Sequence, residues 1–187
     1  MSDRFAVLDT ETTWTNELMS VGLVIASWDG FAVLSAQYCI LPEAAKKGGM
    51  FSPQLYRCPL PPSIAARGEA LAYLQNRLIQ YGVQDIFAYN AAFDHALLPE
   101  LHPLHWFDIM RLAAYRQYNA GITADMPSYR SGRLKAGYGV EPMYRLLTQN
   151  RAYRETHNAL QDALDELEIM KRLGHAISVY QQVASIL

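Results

Sequence analysis

The chain is 187 residues long, 51% hydrophobic and 18% charged, with a formal charge of −2. Those are the proportions of a single globular domain with a full core, and they exclude a disordered tail. Two lone cysteines without a C-x-x-C pairing, no signal-peptide pattern at Met1-Ser2-Asp3-Arg4 and no apolar run near the ~18 residues of a membrane span complete the expectation: a reduced, soluble, cytoplasmic domain over residues 1–187 without a membrane partner.

Residues 4–9 contain the strand formers Phe5-Ala6-Val7-Leu8 and read as a first strand. A polar excursion from Thr12 to Glu17 leads into a second strand, Leu18 to Ser27. Trp28-Asp29-Gly30 carries the Asp-Gly signal of a two-residue hairpin turn. Beyond it, residues 31–41 alternate with Ala32, Leu34, Ala36, Tyr38 and Ile40 on one side, as a third strand antiparallel to the second. Residues 42–62 hold Pro42, Pro53, Pro59, Pro61, Pro62 and Gly48-Gly49, which predict a long functional loop without regular structure. Ser63 is the expected N-cap of a helix through Leu71, Leu74 and Leu78, ending near Gly82.

Short strands are expected at residues 85–89 and 105–107, each followed by a helix: one from Asn90 to Leu98, the other capped by Asp108 and running to Tyr118. A second long loop occupies residues 119–139. Pro142 suits the first turn of a short helix through Leu147. The strongest helix starts at Asn158, with Gln161 as its capping-box partner, and stops at Gly174. An apolar helix over residues 176–187 closes the chain, either docked on its own domain or forming a homodimer. Hairpin strands followed by helix–strand alternation indicate an α/β fold, a mixed five-stranded sheet with helices on both faces.

Three motifs carry the chemistry. Asp9 and Glu11 lie two residues apart at a strand end, so both point to one side. Paired carboxylates of this kind favour Mg²⁺ or Mn²⁺. Asp94 closes the run Asn90-Ala91-Ala92-Phe93-Asp94 after a strand, where functional groups of parallel sheets gather. In the last helix, Leu160, Ala163, Leu164 and Leu167 form the apolar stripe, while Gln161, Asp165, Glu168 and Arg172 read as a solvated face. Asp162 belongs to neither; it heads a row with Glu166, Ile169 and Leu173 and needs a partner such as a metal. His157, on backbone expected to be mobile, is placed to reach a metal-bound water. His95, His102, His105 and His175 have no carboxylate at telling spacing. From Pro127 to His157, Arg130, Arg133, Lys135, Arg145, Arg151 and Arg154 outnumber Glu141 and Glu155 by four, which makes a candidate phosphate track.

Taken together, Asp9-x-Glu11, Asn90 through Asp94, and His157 followed five residues later by Asp162 resemble the DEDDh 3′–5′ exonuclease superfamily, the group of proofreading exonucleases, ribonuclease T and oligoribonuclease. The resemblance spans about residues 5 to 173 and implies a ribonuclease-H-like fold. It also implies two Mg²⁺ or Mn²⁺ ions per active site, with Asp9, Glu11 and Asp162 on one, Asp9 and Asp94 on the other, and His157 as general base. The implied reaction releases nucleoside 5′-monophosphates from single-stranded DNA or RNA 3′ ends, with Thr10, Thr12, Tyr89, Asn90 and Phe93 as substrate contacts. Trp14, Phe51, Tyr56 and Tyr89 are candidate stacking platforms. A His-Gly-Ile element frequent in the family is replaced here by Met50-Phe51-Ser52-Pro53, so substrate-end contacts do not transfer. A noncatalytic nucleic-acid or polymerase-binding module and a dinucleotide or cyclic-nucleotide phosphodiesterase are the alternatives, and a larger nucleic-acid-processing assembly is a further expectation.

Overall fold

A computed structural model describes residues 3–58 and 60–186. Pro59 and Leu187, placed by sequence in the first long loop and the last helix, lie outside the described residues. A mixed six-stranded sheet forms the centre, in the order β4-β3-β2-β1-β5-β6. β1 (Arg4–Thr12), β2 (Leu18–Ser27) and β3 (Val33–Ile40) form an antiparallel meander, while β5 (Asp85–Ala88) and β6 (His105–Asp108) extend it in parallel on the other side of β1.

The expected five strands become six because Ser63–Ile64 adds β4 beside Cys39 and Ile40. Ser63 therefore pairs in the sheet and does not cap a helix; α2 (Arg67–Tyr81) starts after Ala66. The Asp-Gly turn is also longer than two residues. Ser27 N–H donates to Ala32 O, and positive φ falls at Gly30 and Phe31. The proline-rich segment is partly regular, with α1 (Pro42–Lys47) and a 3-10 turn, Ser52–Gln54. Pro42 occupies the start of α1, where a missing N–H costs nothing.

α3 (Ala92–Leu97) follows β5, and α4 is only Met110–Ala113. The helix expected to reach Tyr118 stops early because the chain leaves it to pair with a later segment: Ala114 O accepts from Leu134 N–H, and Tyr115 bridges Arg133. α5 (Val140–Thr148), α6 (Ala159–Leu173) and α7 (Ile177–Val183) complete the chain. Asn158 caps α6 by accepting from Gln161 N–H at 3.4 Å, but the Gln161 side chain turns to Asp165, so the capping box is one-sided.

Strand alternation sorts the core into two layers. Phe5 and Val7 of β1 face α6, whereas Ala6 and Leu8 join Leu71, Leu74 and Leu78 of α2 on the opposite face. Tyr180 and Ala184 are fully buried in the α6 layer, so the C-terminal helix docks on its own domain. Cys39 is a buried core residue.

Candidate active site

The parity that sends Phe5 and Val7 toward α6 sends Asp9 and Glu11 the same way. α6 can meet them closely because of Gly22, which pairs with Asp9 across β1 and β2. A Cβ on Gly22 would lie 2.2 Å from Ala159 O, at the first turn of α6. Asp162 follows one turn later and Glu166 one turn after that, both buried. From the parallel side, the chain leaves β5 at Tyr89, turns through Asn90 in the left-handed region (φ 62°), and delivers Asp94 on the first turn of α3. Asp94 is buried and Oδ1 accepts from Thr10 Oγ1 at 2.7 Å.

All five sequence-predicted site residues thus line one cleft of about 390 Å³, together with Thr10, Thr12, Tyr89, Asn90 and Phe93. Glu11, His157 and Asp162 each place a ligand atom within 4.8 Å of the other two. Carboxylate oxygens from a strand and two helices, with an imidazole at the rim, are a donor set suited to a hard divalent cation.

The electrostatics carry the same message. Burial pushes Asp9 well above the ordinary carboxylate range, and Asp94, Glu166, Asp162 and Glu11 add to it by repulsion. Burial, then repulsion from Asp162, Glu155 and Asp94, raises Glu11 to about 8. Asp162 rises to about 8 through burial and the charges of Glu155 and Asp165, against a weak hydrogen bond from Thr156. Burial lifts Asp94 to about 7 while the Thr10 hydroxyl pulls it down. Such a cluster stays protonated or takes up cations.

Glu166 is the residue that sequence reasoning left out of the site. It is fully buried, Oε2 accepts from Tyr89 N–H at 3.1 Å, and its carboxyl is raised by burial and then by Asp94 and Asp162. The available signal was its place one turn after Asp162 on the same helical row. Glu166 lies behind the cleft lining, whereas Glu155 is part of it. Asn158 is buried and donates to Tyr38 Oη at 3.1 Å and Gln54 O at 3.0 Å, tying the start of α6 to the loop after α1.

His157 is braced by a neighbouring ring. It sits at φ 54°, and its ring stacks on Phe51 with centroids 3.8 Å apart and planes 15° apart. Burial lowers its pKa from the usual imidazole value, against the opposing charge of Glu141. Gly49 makes the brace possible: a Cβ there would lie 2.3 Å from Thr12 O, so only glycine brings Met50 and Phe51 against the end of β1. Met50-Phe51 therefore occupies the cleft wall.

Of the candidate platforms, Trp14 (69% exposed), Phe51 and Tyr89 line the cleft, whereas Tyr56 stands outside its lining. Phe93, 43% exposed, is a further open ring in the wall. Asp165 is not solvated; it is buried and accepts from Tyr153 Oη at 2.6 Å and Gln161 Nε2 at 3.0 Å. Glu168 pairs with Arg172 on the helix surface. Asp108 accepts from Asn90 N–H at 2.9 Å and from Met110 N–H, so it buttresses the second motif; the N-cap of α4 is Ile109, not Asp108 as the sequence suggests. His105 does have a carboxylate partner, Asp85, at 2.9 Å.

A ribonuclease-H-like sheet with carboxylates converging at the carboxyl ends of two parallel strands defines the class of the fold. Solved structures share it. The nuclease domain of 3′hExo, a DEDDh family member bound to rAMP, is similar with a TM-score of 0.65 at 12% identity, over 100% of this chain and 97% of that one. A 3′-exonuclease in 3′-end-specific recognition of a histone mRNA stem-loop gives 0.65 at 13% identity, over 92% of this chain and 63% of that chain. Apo exonuclease I gives 0.60 at 13% identity, over 97% of this chain and 44% of that chain. The chain thus spans less than two thirds of the last two. No protein-family model and no curated protein matches the sequence. The fold is that of the DEDDh 3′-exonucleases. Among the described residues, no helix is long and apolar enough to cross a membrane.

Proposed function

We propose that the protein is a metal-dependent 3′–5′ exonuclease that hydrolyses phosphodiester bonds at single-stranded 3′ ends and releases nucleoside 5′-monophosphates. The observation that carries this reading is the convergence of Asp9, Glu11, Asp94 and Asp162 with His157 in one cleft, on the fold of 3′-exonucleases. A noncatalytic scaffold has no need of a buried acidic cluster that costs folding energy when empty.

Asp9, Glu11 and Asp162 would hold one Mg²⁺ or Mn²⁺, and Asp9 with Asp94 a second. When bound, the two ions supply Lewis-acid stabilisation of the attacking and leaving oxygens. His157 takes the proton of the attacking water, and its lowered pKa keeps the ring neutral, and so free to accept a proton, at pH 7. Phe51 fixes the plane of that ring. Thr10 orients Asp94 through its hydroxyl. Trp14, Phe93 and Tyr89 offer aromatic faces or edges for the terminal nucleotides, and Thr12 and Asn90 offer polar groups at the cleft wall.

The test is a gel assay on 5′-labelled DNA and RNA of one sequence, with Mg²⁺, Mn²⁺ or chelator, beside Asp162→Asn. A metal-dependent descending ladder lost in the variant supports the reading. Intact strands under every metal overturn it, and cleavage of dinucleotides alone would favour a small-molecule phosphodiesterase.

A further inference from the structure

The loop over residues 119–139 is not shapeless. Its middle folds back as a small arm: Tyr129 N–H donates to Arg133 O at 2.8 Å, Gly132 N–H to Tyr129 O at 2.9 Å, and Lys135 N–H to Pro127 O at 2.9 Å. Gly132, at φ 87°, makes the reversal. The arm is anchored at its base by Leu134, which is buried and donates its N–H to Ala114 O, and by Arg116 N–H donating to Gly132 O. Its outer side presents Arg130 and Lys135 exposed and Arg133 half-buried.

Aromatic rings organise these cations. The Arg133 guanidinium lies 4.5 Å from the centroid of the Tyr138 ring, and Lys135 Nζ lies 5.8 Å from that of Tyr129, itself 55% exposed. None of Arg130, Arg133 and Lys135 forms an ion pair among the described residues, whereas Arg145 in the same basic segment is taken up by Glu141. The arm is also tied to the cleft. Tyr138 O accepts from the hydroxyl of Tyr89, which lines the cleft and whose N–H meets Glu166. Cations without acidic partners, interleaved with an open ring and tethered to the wall of an acidic centre, have the chemistry of a single-strand track: charges for the phosphates and a ring for a base.

We infer that the Tyr129–Lys135 arm binds the phosphodiester backbone of single-stranded nucleic acid upstream of the scissile end, with Arg130, Arg133 and Lys135 on phosphates and Tyr129 stacking on a base. This rests on the nuclease reading of the neighbouring cleft, and it adds a surface outside that cleft. Because phosphate is common to DNA and RNA, both strands should use the arm.

The test is fluorescence anisotropy in chelator, with labelled 12-nucleotide DNA and RNA over a salt series. It uses the full chain, the triple variant Arg130→Ala/Arg133→Ala/Lys135→Ala, and Tyr129→Ala. The triple variant should bind either strand at least tenfold more weakly. The slope of log affinity against log salt should flatten by about 2, since each phosphate contact to a single strand contributes about 0.7. Tyr129→Ala should weaken binding about fivefold without changing that slope. A variant that binds with the parental affinity and slope overturns the inference, as does a loss of affinity with an unchanged slope in the triple variant. In the presence of Mn²⁺, the ratio of turnover on the 12-mer to turnover on the p-nitrophenyl ester of thymidine 5′-monophosphate should fall at least tenfold; an equal fall on both substrates counts against the arm. Arm-dependent binding without hydrolysis of any substrate would remove the exonuclease reading and leave the arm.

Discussion

Glu166→Gln separates the electrostatic account of the site from a purely packing account. The substitution keeps size and keeps an oxygen for the Tyr89 N–H, which the carboxylate accepts at 3.1 Å, so the backbone bond survives. What it removes is a buried ionisable group whose charged form repels Asp9, Asp94 and Asp162. At a contact-range separation of about 5 Å and an effective dielectric of about 20, two like charges repel by roughly 3 kcal/mol. Asp94 and Asp162 titrate at about 7 and about 8 in the metal-free fold, so near pH 8 they are only partly ionised. Glu166 is itself raised and so only partly charged there, which makes the relief at most about 2 kcal/mol, or at most roughly 4–8 °C in melting temperature for a chain of this size.

The sign depends on pH. Carboxyls raised in the folded state hold protons that the unfolded chain releases near pH 4, so the metal-free protein loses stability as pH rises from about 4 to about 8. Glu166→Gln should stabilise most at the upper end and hardly at all at pH 4, where the carboxyls of the buried cluster are protonated. Divalent cations should reverse the gain, because the variant has lost a charge that attracts them. The assay is thermal unfolding followed by circular dichroism at pH 4 to 8.5, with chelator and with saturating Mn²⁺. A variant that is equally destabilised at every pH, or whose response to Mn²⁺ matches the parent's, would refute the charge argument.

Asp162→Asn and Asp9→Asn should each lower turnover by at least about a thousandfold while raising metal-free stability, which hydrolysis and melting curves read independently. Activity should fall on the acid side as His157 gains a proton, at a pH below the ordinary imidazole value because burial lowers it. Phe51→Ala uncovers the ring, so the acid limb of the pH–rate profile should move upward and turnover should drop about tenfold through lost orientation. Gly22→Ala should cost at least about 3 kcal/mol in chemical denaturation, since its new methyl meets backbone atoms of α6 at 2.2 Å and neither element can retreat without parting Asp9 from Asp162.

How far the site could be read from sequence follows from how local each placement is. Asp9 and Glu11 inherit the two-residue alternation of β1, and Asp162 inherits the helical row of α6, so short-range periodicity placed them. β4 could not be read that way. Two residues, Ser63–Ile64, show no alternation and become a strand only by pairing with Cys39 and Ile40. α4 looked longer than it is because its end is decided by Leu134, far along the chain, taking the carbonyl of Ala114. Asp165 looked solvated for the same reason: its cover is Tyr153, held in an irregular segment.

Glu166 shows the limit most clearly. Its helical row was visible, and that row runs on to Ile169, which is buried. A carboxylate between Asp162 and a buried isoleucine on one row already implied burial. What periodicity could not supply was the partner, because Tyr89 N–H reaches Glu166 only after β5 has been laid beside β1 and the chain has turned through a left-handed Asn90. The same turn sends the Tyr89 hydroxyl toward Tyr138 and so joins the acidic centre to the basic arm. One residue therefore links the two surfaces of opposite charge. On the proposed reading, a strand drawn along the arm by its phosphates would be led toward the cleft where the carboxylates converge, and a chain with a formal charge of −2 would bind a polyanion without being basic overall.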